Sequence, residues 1–142
     1  MAPDREVLSA RLASLEEYLR ILEPLATIDV SDFVRDPRLY GSAERFLHLS
    51  LEAIFDIGTH CLAALGLRRP STYGEILPAL AEAGIIRAST AESLAGIAGF
   101  RNLLVHDYAR IDRARVHAFV ATRLASIRSF GADIAAYLDT LE

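Results

Sequence analysis

The chain has 142 residues, of which 52% are apolar and 24% charged, a size and composition that suit one compact domain with a substantial core. Its net charge of −4 excludes a uniformly basic surface that coats nucleic acid, because such affinity comes from many cationic contacts with phosphates. A single cysteine excludes an internal disulfide framework, and no apolar run reaches the length of a membrane span. We therefore expect one domain over residues 1–142, located in the cytoplasm.

The first predicted helix runs from Asp4 to about Glu23. Pro24 should end or kink it, because proline cannot donate to the helical ladder. Ser31 and Asp32 are then expected to cap a short turn. The helix is predicted from leucines that recur at alternating spacings of four and three residues, namely Leu8, Leu12, Leu15, Leu19 and Leu22.

A second, long helix is predicted from about Pro37 to Leu65, with Gly66 as its stop signal. Lone Cys61 lies on its apolar stripe without a nearby base, so we expect a small core residue and not a nucleophile. The other members of that stripe are Phe46, Ser50, Ala53, Ile54, Ile57 and Ala64. A polar line on the same helix is either solvated surface or the wall of a cleft, and comprises Arg45, His48, Glu52, Asp56 and Thr59.

Part of this polar line has the helical spacing of metal ligands. His48, Glu52 and Asp56 lie one turn apart on one face. No matching set on another helix completes such a site, so we expect no metal. No glycine-rich phosphate loop occurs either, and the sequence predicts no cofactor.

Two segments, from Thr72 to Glu75 and from Ser89 to Glu92, match the Ser/Thr-x-x-Glu capping box and predict helices from about residues 73 and 90. Asp112 is expected to cap a last long helix, whose Gly131 should permit close helix approach. The core-facing residues of that helix are Val116, Val120, Leu124, Ile127, Ile134, Leu138 and Leu141. The prediction is an all-α fold, an antiparallel up-and-down bundle of four main helices plus one or two short ones.

Arg101 interrupts the apolar face of the helix predicted from residue 90. At about 100° per residue, its neighbours within about 60° are apolar. A guanidinium there cannot shed its charge, so it must meet a carboxylate, an anion or a wet cleft. Glu52 and Asp56 are the predicted partners.

His106 and Tyr108 follow on the same helix. On a regular helix His106 points about 140° away from Arg101, whereas Tyr108 lies within about 20° of it. The three side chains converge only if the helix ends near Val105 to His106 or if a second chain contributes its copy, and we expect both. A structural ion pair, a helix-terminal histidine and a core tyrosine would also fit the pattern.

The segment Arg101-Asn102-x3-His106-x-Tyr108 resembles the Arg-x4-His-x-Tyr signature of the HEPN superfamily, and of HepT-like proteins in particular. Further blocks of the resemblance occur in the same order, at residues 43–45, 51–58 and 70–75 and at Phe100. One departure is Asp107, where a small or neutral residue is common. We expect its charge to alter the surroundings of His106 or to weaken RNA binding.

The resemblance implies a helical homodimer that acts on RNA as a metal-independent endoribonuclease, the toxin of a type II-like toxin–antitoxin system. Its partner would be a minimal nucleotidyltransferase antitoxin that adds AMP to Tyr108. Arg101 and His106 would be catalytic, with support from Tyr108 and from three further residues, namely Asn102, Glu52 and Asp56.

Two alternatives stay open. The chain could be a non-catalytic subunit that binds substrate for a minimal nucleotidyltransferase, with Arg101 holding an anion. It could also be a purely structural scaffold. Metal-independent RNA cleavage fits only the endoribonuclease.

Overall fold

The computed structural model describes residues 2–106 and 111–141. Within them all regular secondary structure is helical, which confirms the all-α prediction. The helices are α1 (Arg5–Leu22), α2 (Val30–Phe33), α3 (Pro37–Ala64), α4 (Ile76–Glu82), α5 (Ala88–Ser93), α6 (Ile97–His106) and α7 (Arg113–Asp139), and two 3-10 segments span Glu23–Thr27 and Tyr73–Glu75.

The boundaries of the long helices agree with the predictions. Asp4 caps α1 by accepting a hydrogen bond from the Val7 N–H, and Pro24 lies in the 3-10 segment that follows. α3 is followed closely by Gly66, whose φ of +70° is favourable only for glycine. Asp112 caps α7, as predicted.

Two of the predicted caps are wrong. The cap of the short helix α2 is Asp29, which accepts from the Ser31 backbone N–H at 2.8 Å, and not Ser31 or Asp32. Thr72 makes no capping bond. Glu75 instead reaches back to the backbone N–H of Ser71 at 3.0 Å, so a 3-10 turn precedes α4.

The helix predicted from about residue 90 is present as α5, but its predicted cap and its predicted continuation into the motif are wrong. α5 begins at Ala88 and has no side-chain cap of its own. Asp133 of α7 serves that end instead, accepting from the Thr90 hydroxyl at 2.6 Å. The chain then turns at Gly96, whose φ is +87°, so the motif lies on a separate helix, α6. The described residues consequently contain more short elements than the one or two expected.

α1 and α3 run antiparallel. The Asp4 N–H donates to His60 Nε2 at 3.1 Å, whereas the rings of Tyr18 and Phe46 lie 6.0 Å apart at the other end of the pair. Residue numbers therefore increase in opposite directions along the two helices.

α7 runs antiparallel to α6 and packs on α1 and α3. The rings of Phe100 and Phe119 stack at 4.4 Å, and Arg123 Nη2 donates to the carbonyl oxygen of Ala95 at 2.8 Å. These contacts join α6 and the turn before it to α7.

One apolar core joins all the long helices. The predicted stripes on α3 and α7 are buried or half-buried. Gly131, however, has no neighbouring atom within 4 Å of where a Cβ would lie, so the expected close approach there is wrong. It occurs at Gly58 instead, where a Cβ would lie 2.5 Å from Ile76 Cγ2 and 3.1 Å from Leu80 Cδ1. No described helix is both long and apolar enough to cross a membrane.

Candidate active site

Arg101 of α6 faces α3 and forms an ion pair there with Glu52. Its Nε donates to Glu52 Oε1 at 2.5 Å, and the two side chains are 14% and 30% exposed. This is the carboxylate partner that the apolar surroundings of Arg101 require, because a partly desolvated guanidinium keeps its charge. The ion pair joins the motif helix to the longest helix of the fold.

Two further groups hold the guanidinium. Its Cζ lies 4.7 Å from the centre of the Tyr73 ring, a cation–π contact, and its Nη1 donates to Asn102 Oδ1 at 3.3 Å. The Tyr73 ring in turn stacks on Phe55 of α3 at 4.9 Å. An arginine has five N–H donors, and within the described part of the chain Glu52 and Asn102 use two of them.

The remaining acidic candidate, Asp56, contacts a different arginine. Its Oδ2 lies 3.4 Å from Arg11 Nη1 of α1, where both side chains are about half exposed, and no contact with Arg101 is seen. His48 Nε2 lies 3.7 Å from Glu52 Oε1. The polar line of α3 is therefore divided, with Glu52 facing the motif and Asp56 facing α1.

His106 is exposed on α6 and is the last residue described before the gap at 107–110. Because α6 is helical from Ile97 to His106, His106 points about 140° away from Arg101 in one chain. Asn102 is also exposed. Asp107 and Tyr108 lie outside the described residues.

Two open cavities lie near this ion pair, one lined by Glu52 and the other by Tyr73. One, of about 460 Å³ between α1 and α3, is lined by Arg11, Glu52 and Asp56 among others. The other, of about 550 Å³, lies on the side of Tyr73 and is lined by Arg69 and by three hydroxyl residues. Within residues 2–106 and 111–141, no three acidic, histidine or cysteine side chains are grouped to hold a metal ion.

Sequence reasoning did not assign a role at the site to Tyr73. The residue was part of the block at residues 70–75, but its segment was interpreted only as a helix start. The available signal was the place of Tyr73 in the block at residues 70–75; in the structure its side chain is 41% exposed. Cys61, by contrast, is buried as expected, and burial raises the pKa of its thiol to about 11, which leaves it protonated and unreactive.

Comparison with known protein families gives a match over most of the chain. The family described as ribonuclease HepT-like matches residues 15–134. The tRNA nuclease HepT of Aphanizomenon flos-aquae is 29% identical over 136 residues, which cover 96% of this chain and 92% of that protein. A putative RNase of Archaeoglobus fulgidus is 30% identical over 129 residues, covering 89% of this chain and 97% of the relative.

Solved structures share the fold. The cytosolic protein YutE of Bacillus subtilis superimposes with a TM-score of 0.86 at 21% identity, over 99% of this chain and 94% of that one. A tri-AMPylated HEPN toxin of Shewanella oneidensis, in complex with an MNT antitoxin, gives a TM-score of 0.81 at 25% identity, over 92% and 97%. With its family match and its fold in agreement, the chain belongs to the ribonuclease HepT-like family.

Proposed function

We propose that the protein is a metal-independent endoribonuclease and the toxin of a type II-like toxin–antitoxin system. The observation that carries the proposal is the Arg101–Glu52 pair, which holds a permanent cation at fixed orientation on the helix that also presents His106. Membership of the ribonuclease HepT-like family supports the reaction class.

RNA can be cleaved without a metal when its 2′-OH attacks the adjacent phosphorus. The reaction needs a base for the 2′-OH, an acid for the leaving 5′-oxygen and a cation for the charge that grows on the non-bridging oxygens. Imidazole transfers protons near neutral pH, which suits His106. Arg101 would bind the phosphate through the N–H groups that Glu52 does not use.

This cleavage reaction requires two proton-transfer groups, a base and an acid, whereas the motif supplies one histidine. We therefore propose that the active unit is a homodimer in which the second copy of His106 crosses to Arg101. The helical geometry of α6 up to His106 supports this, since one regular helix cannot bring the two side chains together. The proposed protomer is a single domain, with α1, α3, α6 and α7 as an up-and-down bundle.

Glu52, Asn102 and Asp56 would support the reaction without transferring protons. Glu52 and Asn102 orient the guanidinium, as their contacts with it indicate. Asp56 would act indirectly, because it holds Arg11 beside the cavity that Glu52 also lines.

The proposed inhibitor is a minimal nucleotidyltransferase that adds AMP to Tyr108. The added bulk and negative charge would then occupy the position that an RNA phosphate needs. The tri-AMPylated toxin from Shewanella oneidensis, in complex with an MNT antitoxin, supports this assignment. We place the pair in the cytoplasm, where RNA is available.

The test is RNA cleavage by purified protein in EDTA, with Tyr108 shown by mass spectrometry to be unmodified. His106→Ala should lose about 10² to 10⁴ in rate as a proton-transfer group, and Arg101→Ala about 10² to 10³ as a charge-stabilising group. The products should carry 2′,3′-cyclic phosphate ends. Arg128→Ala and His60→Ala are matched controls, because these residues lie away from the site.

Cleavage close to wild type in His106→Ala would refute the mechanism. No cleavage by the folded, unmodified wild type would favour the non-catalytic subunit that binds substrate for a nucleotidyltransferase.

A further inference from the structure

The loop after α3 carries two adjacent arginines, Arg68 and Arg69, close to the site. Arg69 lines the open cavity of about 550 Å³. The other lining residues are Thr59, Pro70, Ser71, Thr72, Tyr73 and Ile76. One basic and three hydroxyl side chains therefore converge on a single concave surface.

This cavity adjoins the ion pair through Tyr73. The ring forms part of the cavity wall and also lies 4.7 Å from the guanidinium carbon of Arg101. Tyr73 therefore borders both the guanidinium of Arg101 and the cavity.

The charges of the cavity favour an anion. No carboxylate is among its described lining residues. The Glu75 carboxylate lies behind Ser71, whose hydroxyl donates to it at 3.1 Å. Within residues 2–106 and 111–141 no carboxylate pairs with Arg69 either. Arginine binds phosphate oxygens through two parallel N–H groups, and the Thr59 and Thr72 hydroxyls can donate to phosphate or accept from a ribose 2′-OH.

We propose that Arg69 and this cavity form a second phosphate-binding subsite, which holds the RNA nucleotide next to the one cleaved at Arg101. The proposal rests on the proposed endoribonuclease function. It assigns to Arg69 a role in holding RNA, separate from the chemistry at His106.

Arg68 provides a matched control. It precedes Arg69 and has the same charge. Arg68 does not line the proposed subsite and borders only a neighbouring cavity, which Arg69 also lines and which carries Glu75 and Glu82. Loss of either arginine changes the net charge equally, so a difference between the two variants reports position and not overall electrostatics.

The experiment measures binding of a single-stranded RNA with a 2′-deoxy substitution at the scissile nucleotide, together with KM and kcat for the cleavable RNA. Arg69→Ala should raise Kd and KM about tenfold with kcat little changed, as expected for loss of one charged hydrogen-bonding contact. The slope of log K against log salt should fall by about 0.7. Arg69→Lys should recover part of the affinity, and Arg68→Ala should match wild type.

If Arg68→Ala and Arg69→Ala changed Kd and KM equally, or if neither changed them, the subsite would be overturned. Cleavage by the wild type would still support the nuclease. Conversely, a wild type that binds RNA but never cleaves it would overturn the nuclease. The subsite would then stand if Arg69→Ala alone weakened binding.

Discussion

Glu52 Oε1 accepts a hydrogen bond from Arg101 Nε although 49 residues separate them in sequence. The pair crosses from α3 to α6 and connects the motif to the most extensive helix of the core. The Glu52 carboxylate takes the Nε–H of Arg101 and leaves N–H groups of the guanidinium that can bind an anion. The orientation of Arg101 thus depends on a residue outside the motif.

Expressed as free energies, the effect of Glu52→Gln on the barrier to RNA cleavage should be larger than its effect on unfolding. The variant keeps an acceptor oxygen but loses the charge, so we expect a loss of about 1 kcal/mol in the free energy of unfolding, the difference between charged and neutral hydrogen bonds. Urea denaturation and single-turnover cleavage would measure the two effects. Asp56→Asn, on an exposed ion pair, should change stability by less than about 0.5 kcal/mol. An equal loss of stability in both variants would contradict the prediction.

Tyr73→Leu should reduce kcat/KM about fivefold, because a cation–π contact of about 1 kcal/mol no longer orients Arg101. Tyr73→Phe keeps the ring and should retain more activity than Tyr73→Leu. Steady-state cleavage of one RNA by both variants would test this. Equal activity in the two variants would show that the ring does not position Arg101.

Asp133→Asn should destabilise the protein by about 1 to 2 kcal/mol at neutral pH, because this carboxylate caps the start of α5. Burial acts to raise the pKa of Asp133, but hydrogen bonds from the Thr90 hydroxyl and from the Arg87 N–H groups outweigh burial and lower it. Stability from a depressed pKa is complete above the ordinary aspartate value of about 3.9 and is lost as the pH falls through the lower folded value.

The difference in free energy of unfolding between Asp133→Asn and wild type should therefore shrink below about pH 4. Urea denaturation at neutral and acidic pH would measure it. Asp139→Asn, which is 83% exposed, should show little difference at either pH. If the difference in free energy of unfolding between Asp133→Asn and wild type grew as the pH fell, the prediction would be contradicted.

Gly58→Ala and Gly131→Ala should change stability in opposite directions. The new Cβ at position 58 would overlap Ile76 and Leu80, and such overpacking costs about 1 to 3 kcal/mol. At position 131 nothing lies within 4 Å, so alanine should stabilise α7 by about 0.5 to 1 kcal/mol. Thermal denaturation of both variants is the test, and two shifts of the same sign would contradict it.

The long helices could be predicted from the sequence because each has both a periodic apolar face and a local stop or cap. Asp4, Asp112 and Gly66 act on their own neighbours in sequence, so they were recognisable. The partnership of Glu52 with Arg101 also followed from local patterns, since a buried cation needs an anion and Glu52 lay on a polar line.

The segments that were predicted wrongly depend on distant contacts. α5 begins where Asp133 of α7 accepts hydrogen bonds from the Arg87 N–H, 46 residues away, and from the Thr90 hydroxyl, 43 residues away. No local pattern reveals these contacts. The position of the Tyr73 ring likewise depends on the loop packing against Phe55. No helix end was predicted at Gly96, whose positive φ separates α5 from α6. The catalytic roles of Arg101 and His106 stay predictions.

Gly58 also constrains how relatives of this protein can diverge. Its missing side chain makes room for Ile76, and Ile76 begins the short helix directly after Tyr73–Glu75. Positions 58 and 76 therefore share one volume, and a side chain gained at the first requires one lost at the second. In an alignment of relatives the two positions should therefore vary together.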